Sequence, residues 1–260
     1  MKPGHTLVGG VHAVRHFLSR SPERALVLHL ARDREAPEHG VILELAERAG
    51  LAVERCSAKV LDEQLPGMRH QGVMLKVREV PPLDEDDLMR LLEEAAGPPL
   101  LLVLDGVEDP HNLGAVLRSS DAAGATAVIT PKDRAAPLTP VARKVASGAA
   151  EYVPLVCVTN LARCLARLRG MGVWTVGLDE AAETSLFDTD LTMGVALVLG
   201  AEGAGLRRLT REHCDYLASL PMCGVVESLN VSVAAGICLY ETLRQRRVGA
   251  LARPPGPGPR

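Results

Sequence analysis

"LLLVLDGVEDPHNLGAVLRSSDAAG", residues 100–124, opens with five apolar residues and then turns abruptly polar. A run so short and so uniformly apolar reads as a strand covered on both faces, as in a parallel sheet. Asp109-Pro110 ends the strand region, and a helix begins near Asn112 with Leu113, Val116 and Leu117 as its buried face. Arg118 follows Asn112 by six residues, about 600° of helical rotation, so the two do not share a face of a regular helix. Either they have separate roles, or Asn112 stands outside the helix as its cap.

The same alternation continues outward. Apolar strands are predicted at 100–104, 126–130, 152–156, 173–178, 195–200 and 216–221, with helical stretches between most of them. That order is the signature of an α/β domain, a largely parallel sheet with helices on both faces. Upstream, a helix over 11–19, a strand at 25–30, a helix over 38–49, a strand at 51–56 and a strand at 71–77 compose a smaller α/β unit, residues 1–78. Residues 79–99 carry proline pairs at both ends and an acidic helix between them, and read as a connector. The larger domain occupies 100–247, and the Pro/Gly-rich 248–260 is expected to be a mobile tail without regular structure.

Length and composition exclude several classes. At 260 residues with 47% hydrophobic and 23% charged residues, the chain is an ordinary globular protein. It has no leader-like start and no apolar run of the roughly 18 residues that a span needs, so a cytoplasmic location without membrane attachment is expected. Six cysteines (Cys56, Cys157, Cys164, Cys214, Cys223, Cys238) are scattered with no C-x-x-C pair. They are read as buried free thiols rather than metal ligands, and no metal is expected. The net charge of −3 hides an uneven distribution, with 12 Lys+Arg against 9 Asp+Glu in 1–78 and 1 against 7 in 79–99. The first segment is therefore basic, and Arg15, Arg32, Arg34 and Arg69 there are candidate phosphate contacts or, equally, parts of ordinary solvated faces.

In an open parallel sheet, ligands gather where loops leave the carboxyl ends of strands. Three loops stand out there. One is 105–124, the stretch just described. A second, "GAEGAGL" at 200–206, is glycine-rich like a phosphate loop, yet no Lys-Ser/Thr follows and G-x-G-x-x-G is absent. An acidic residue inside that turn, Glu202, disfavours phosphate and suits a cation or a hydroxyl donor. The missing fingerprint also argues against a dinucleotide-binding dehydrogenase. The third, "LPMCGVVESLN" at 220–230, leads into "SLNVSVAAGICLYE" at 228–241, an apolar-striped helix that Ser228 or Asn230 could cap.

Together the three loops resemble the sequence motifs of the SPOUT-class TrmH/SpoU family of RNA ribose 2′-O-methyltransferases. "DGVEDPHNLGAVLRSSDAAG" is similar to the family's first motif, "VLVLGAEGAGL" to its second and "ESLNVSVAAGICLYE" to its third. "PKDRAAPL", "KVASGAAEYVPL", "LTREHCD", "GVHAV" and "HQGV" resemble the bacterial branch that methylates a guanosine of large-subunit ribosomal RNA. The likeness runs from about residue 7 to 247.

The resemblance implies a catalytic domain with a deep trefoil knot, an exception to the rule against threaded chains. It also implies a preceding substrate-binding domain akin to a ribosomal-protein RNA-binding fold (L30e-like), a homodimer, and S-adenosylmethionine as the methyl donor. The partner it implies is 23S ribosomal RNA or a pre-ribosomal particle. Alternatives are 2′-O-methylation of another rRNA or tRNA nucleotide, or RNA binding without catalysis. Carried over to this chain, Gly200, Gly203, Gly205, Leu220 and Leu229 would form the cofactor pocket. Asn112, Arg118, Glu202, Ser228 and Asn230 would be catalytic, with Glu202 orienting Arg118 or Asn112 and with Ser228 and Asn230 bonding around the ribose and the arginine. A guanidinium keeps its proton at ordinary pH, so Arg118 is expected to grip a phosphate and polarise the nascent alkoxide, from its own or the opposite protomer.

Overall fold

The computed structural model describes residues 4–34 and 37–251, the last three by backbone alone. The chain divides into two compact units, Met1–Pro81 and Pro82–Arg260. In the first, β1 (His5–Gly9), β2 (Ala25–Ala31), β3 (Ala52–Cys56) and β4 (Val73–Arg78) form a sheet in the order β1-β4-β2-β3, in which only β2 and β3 run parallel. Side-chain alternation along the strands divides the core. Leu28, Leu30, Leu75 and Val77 pack with Phe17 of α1 (Val11–Arg20) and Ile42 of α2 (His39–Arg48). Ala31 and Met74 pack with Leu61 of α3 (Ala58–Gln64).

β1 and α3 lie outside the elements that the sequence pattern predicts. Each is a single short element whose apolar residues are too few to declare a period. His70 is buried just before β4. Its Nε2 lies 2.8 Å from Asp62 Oδ1 and its Nδ1 accepts the Gly72 N–H at 3.1 Å, fixing the turn in which Gln71 has a φ of 54°.

The second unit is a six-stranded sheet, every neighbouring pair parallel, in the order β10-β8-β9-β5-β6-β7. Its strands are β5 (Leu100–Asp105), β6 (Ala127–Pro131), β7 (Leu155–Val158), β8 (Trp174–Leu178), β9 (Val195–Gly200) and β10 (Tyr216–Ala218). β5 shows why the uniformly apolar run was needed. Leu100, Leu102 and Leu104 enter one core, with α5 (Pro110–Ala123), α6 (Pro140–Ala146) and α9 (Val231–Leu251). Leu101 and Val103 enter the other, with α4 (Glu85–Glu93) and α7 (Leu161–Gly170).

The acidic segment does more than connect. Its helix α4 starts at a capping box in which Asp84 and Asp87 cap each other's backbone N–H, and Leu88 is buried in the second unit's core. Its charge faces α7: Glu85 pairs with Arg163 at 3.1 Å and Arg167 at 3.0 Å, and Asp86 pairs with Arg167. At the other end of the unit, α9 runs to Leu251 rather than yielding to a tail at 248, because Val248–Leu251 contain no proline to stop it. The remaining tail residues, 252–260, lie outside the described residues. α9 is pinned by Arg246, whose guanidinium donates to the carbonyls of Pro98 at 2.7 Å, Pro99 at 3.0 Å and Met193 at 2.7 Å. Burial pulls that guanidinium down from the usual arginine range.

Gly114 lets α5 and α6 touch, since a Cβ there would meet the Ala142 carbonyl oxygen and the Val145 side chain. Gly114→Ala is expected to lower stability by about 1–2 kcal/mol through overpacking, even though alanine is the better helix former. A lower urea midpoint with an unchanged slope is the readout. Of the cysteines, Cys164 and Cys238 are buried, and Cys223, against expectation, is exposed on the third loop. Burial pushes the Cys164, Cys214 and Cys238 thiols up to about 12, so they stay protonated at pH 8. A thiol reagent at that pH is expected to label Cys223 in the folded protein and to spare those three until the chain unfolds.

Candidate functional site

β5 and β9 are neighbours with Asp105 opposite Gly200, and the chain leaves them in opposite directions. From β5 it passes through α5 to β6 on one side; from β9 it passes through α8 (Arg208–His213) to β10 on the other. Such a reversal opens a crevice at the carboxyl ends of the strands. Asp109 caps α5, its side chain accepting the His111 N–H, and Pro110 occupies the first helical position. Asn112 is therefore inside the first turn and not its cap, and it is buried.

The second loop is shaped by three glycines for two different reasons. A Cβ on Gly200 would fall on the backbone of Gly205 and Leu206. Gly203 and Gly205 have open space around them, and what they supply is backbone: φ values of 75° and 64°. Ala201 and Gly205 exchange two backbone hydrogen bonds, at 3.2 and 2.9 Å, and close the turn. Asp105, fully buried at its side chain, ties this loop to β5: its Oδ2 accepts the Arg207 N–H at 2.9 Å and its Oδ1 lies 3.4 Å from Arg207 Nε.

The third loop ends at Asn230, which caps α9: its Oδ1 accepts the Ser232 N–H at 2.9 Å, and the N–H groups of Val233 and Ala234 bond to its carbonyl. Ser228 is not the cap. Asn230 Nδ2 also donates to Asn112 Oδ1 at 3.0 Å, joining the first and third loops.

A cavity of about 390 Å³ opens between the ends of β8, β9 and β10 and the start of α9. Of the predicted residues it brings together Gly200, Glu202, Gly203, Gly205, Leu220, Ser228 and Leu229. Asn112 and Asn230 stand beside it, Asn230 between two lining residues, Leu229 and Val231. Arg118 does not join them. It is exposed on α5 and pairs with none of the described residues, and the expected contact of Glu202 with Arg118 or Asn112 is not made. Sequence reading missed Leu178, Asp179 and Glu180, which line the cavity from the end of β8. The strand-end rule that singled out the other three loops could have found them.

The lining has a clear chemical character. Leucines, small residues and backbone make up the walls, and every charged side chain in it is a carboxylate: Asp179, Glu180, Glu202 and Glu227. Asp179 is neutralised by Arg211 at 2.5 Å; the other three carry no such partner among the described residues. This arrangement repels a polyphosphate and suits a ligand with an apolar body and positive charge.

Two family models match the chain. One, described as RNA 2'-O ribose methyltransferase substrate binding, covers residues 7–83, and the other, described as SpoU rRNA Methylase family, covers residues 99–240. The chain is 52% identical over 239 residues to a 23S rRNA (guanosine-2'-O-)-methyltransferase RlmB of Pseudomonas putida, spanning 92% of this chain and 96% of that protein. It is 54% identical over 239 residues to the protein of the same name from Pseudomonas aeruginosa, with coverage of 92% and 96%. Among solved structures it is similar to the SpoU methyltransferase AviRb from Streptomyces viridochromogenes in complex with AdoMet, with a TM-score of 0.76, 28% identity, and coverage of 95% of this chain and 92% of that one.

Gly200→Ala is expected to open the second loop, because the alanine methyl and the Gly205 backbone cannot share the same space. Amide exchange in 201–206 should accelerate, with a loss of about 2 kcal/mol in stability. Gly203→Ala, strained only in its backbone, is expected to cost about 1 kcal/mol.

Proposed function

This chain belongs to the SpoU rRNA methylase family, and we propose that it transfers the methyl group of S-adenosylmethionine to the ribose 2′-oxygen of one guanosine in 23S ribosomal RNA. The observation that carries the reading is the cavity whose charged lining side chains are all acidic. S-adenosylmethionine carries a net positive charge, a sulfonium and an ammonium against one carboxylate, and these walls fit its cationic groups. Gly200, Gly203, Gly205, Leu220 and Leu229 would hold it, with Leu178 added from β8. Bound there, it supplies a methyl group already activated by the positive sulfur.

The chain's own task is then to orient the ribose and to favour its deprotonated oxygen. Arg118, exposed and without a partner among the described residues, would grip the phosphate beside the reacting ribose and stabilise the alkoxide with its charge. Asn112 and Asn230 stand at the amino ends of two helices, where orphan N–H groups favour negative charge. Glu202, at the cavity wall and unpaired among the described residues, faces the cationic end of the cofactor in this reading rather than Arg118. Ser228 is left to bond to the ribose.

The first unit, residues 1–78 by the sequence boundaries, would hold the RNA through its basic face, in an L30e-like fold. A trefoil knot in the second unit is supported by a strand order that sets β9, late in the chain, between β8 and β5. A homodimer is supported by Val233 and Tyr240 of α9, each about half exposed at 51% on the helix that packs against α5. No described helix is long and apolar enough to cross a membrane, and a cytoplasmic site of action accords with an RNA substrate.

The test is transfer of labelled methyl from S-adenosylmethionine to unmodified 23S ribosomal RNA, with the product nucleoside mapped. One 2′-O-methylguanosine is expected, with Asn112→Ala and Arg118→Ala each reducing kcat by about 100-fold. Arg118→Lys should keep most activity if charge suffices and lose it if the planar fork is needed. Methylation of a different nucleotide would overturn the substrate. RNA binding with no transfer to any ribosomal substrate would overturn the enzyme.

A further inference from the structure

Three hydrogen bonds fix which way two side-chain amides point. The backbone N–H of Ser232 donates to Asn230 Oδ1 at 2.9 Å, and the Ser232 hydroxyl reaches the same oxygen at 2.6 Å. A backbone N–H can only donate, so the atom of Asn230 that faces it must be the carbonyl oxygen. The other end of the amide, Nδ2, is thereby aimed at Asn112, 3.0 Å away. An NH2 group also can only donate, so Asn112 must turn its oxygen toward Asn230. The amino end of α9 thus dictates the polarity of a side chain 118 positions away in sequence. What is left of Asn112 is its own NH2 group, from which no described residue accepts a hydrogen bond.

We propose that Asn112 is held as an obligate hydrogen-bond donor to the reacting ribose 2′-oxygen, and that Asn230 is the positioning residue that imposes this polarity. The inference rests on the 2′-O-methylation reading and assigns a sense to one contact within it. Asn112 is third in the first turn of the 14-residue helix α5, so its donor adds to the positive potential of the helix amino end. With no acceptor to offer, Asn112 takes no proton from the substrate. It steadies negative charge as that charge gathers on the oxygen, from a side chain that is already ordered before the RNA arrives.

Asn230→Asp and Asn230→Ser separate this role from helix capping. Both residues cap well. Aspartate keeps a second oxygen facing Asn112, which forces the Asn112 amide to turn over and present its carbonyl outward. Serine is too short to reach Asn112 and leaves it free to turn. Asn230→Asp is therefore expected to lose about 100-fold in kcat and to fall below Asn230→Ser, with RNA KM and cofactor affinity within a few-fold of the wild type. Asn112→Asp, which still accepts from Asn230 Nδ2 but has no donor to present, should be equally impaired. Aspartate at 230 matching or exceeding serine, a loss confined to RNA KM and relieved by salt, or an active Asn112→Asp would each overturn the proposal.

A second readout needs no RNA. The chain contains three asparagines, Asn112, Asn160 and Asn230, so 15N-asparagine labelling resolves their side-chain amides individually. Fast hydrogen exchange at Asn112 NH2 and slow exchange at Asn230 NH2 are expected in the wild type, with Asn112 slowed in Asn230→Asp. The reverse order in the wild type would refute the polarity. If the wild type transfers no methyl to ribosomal RNA, the functional reading fails by that assay while the exchange experiment still decides which way the amides point.

Discussion

Asp105 and Gly200 face each other at the carboxyl ends of two paired strands, and every feature of the site is referred to that pair. The strands are parallel and buried on both faces, so their register is fixed by packing on two sides at once. The chain turns away from them in opposite directions, which leaves the crevice. Asp105 then reaches across to the Arg207 N–H and fixes the second loop, while the absence of a side chain at Gly200 lets that loop fold back on its own strand. Removing either would leave the cavity without its floor.

From that floor the carboxyl edge presents different charges at different places. On the β9 side the cavity carries carboxylates and suits a cationic cofactor. On the β5 and β6 side Arg118 on α5 and Lys132 and Arg134 in the loop after β6 are exposed, among the exposed carboxylates Glu108, Asp109 and Asp133, and offer cations to an RNA backbone. Between the two lie the amino ends of α5 and α9, bridged by Asn112 and Asn230. Methyl transfer from a cation to an oxygen that becomes negative uses both signs of charge, and one of the cations, Arg134, stands on a left-handed backbone with a φ of 56°.

Much of this was legible in the sequence because the physics was local. Apolar runs of five or six residues announced the parallel strands, and glycines at 200–206 announced a tight turn. Boundaries slipped where tertiary contacts decide them: "YVPLV" at 152–156 was read as a strand, yet the strand is Leu155–Val158, since Tyr152 closes a 3-10 turn and Pro154 has no N–H to give a ladder. The acidic helix looked like a connector because the arginines that neutralise it lie some 80 residues away in α7. Asn112 and Asn230 were both singled out by resemblance, yet their bond could not be, because nothing in either segment says that α5 and α9 cross at their amino ends. The expected arginine–glutamate contact did not appear: Glu202 lines the cavity and Arg118, exposed on α5, is not part of its lining.

The loops after β8, β9 and β10 together form the proposed cofactor site. Backbone hydrogen exchange of the whole chain, with and without saturating S-adenosylmethionine, tests it directly. New protection is expected to concentrate in 178–180, 200–206 and 220–230, with the first unit unchanged. Protection centred instead on the first unit, or on the loops after β6 and β7, would contradict it.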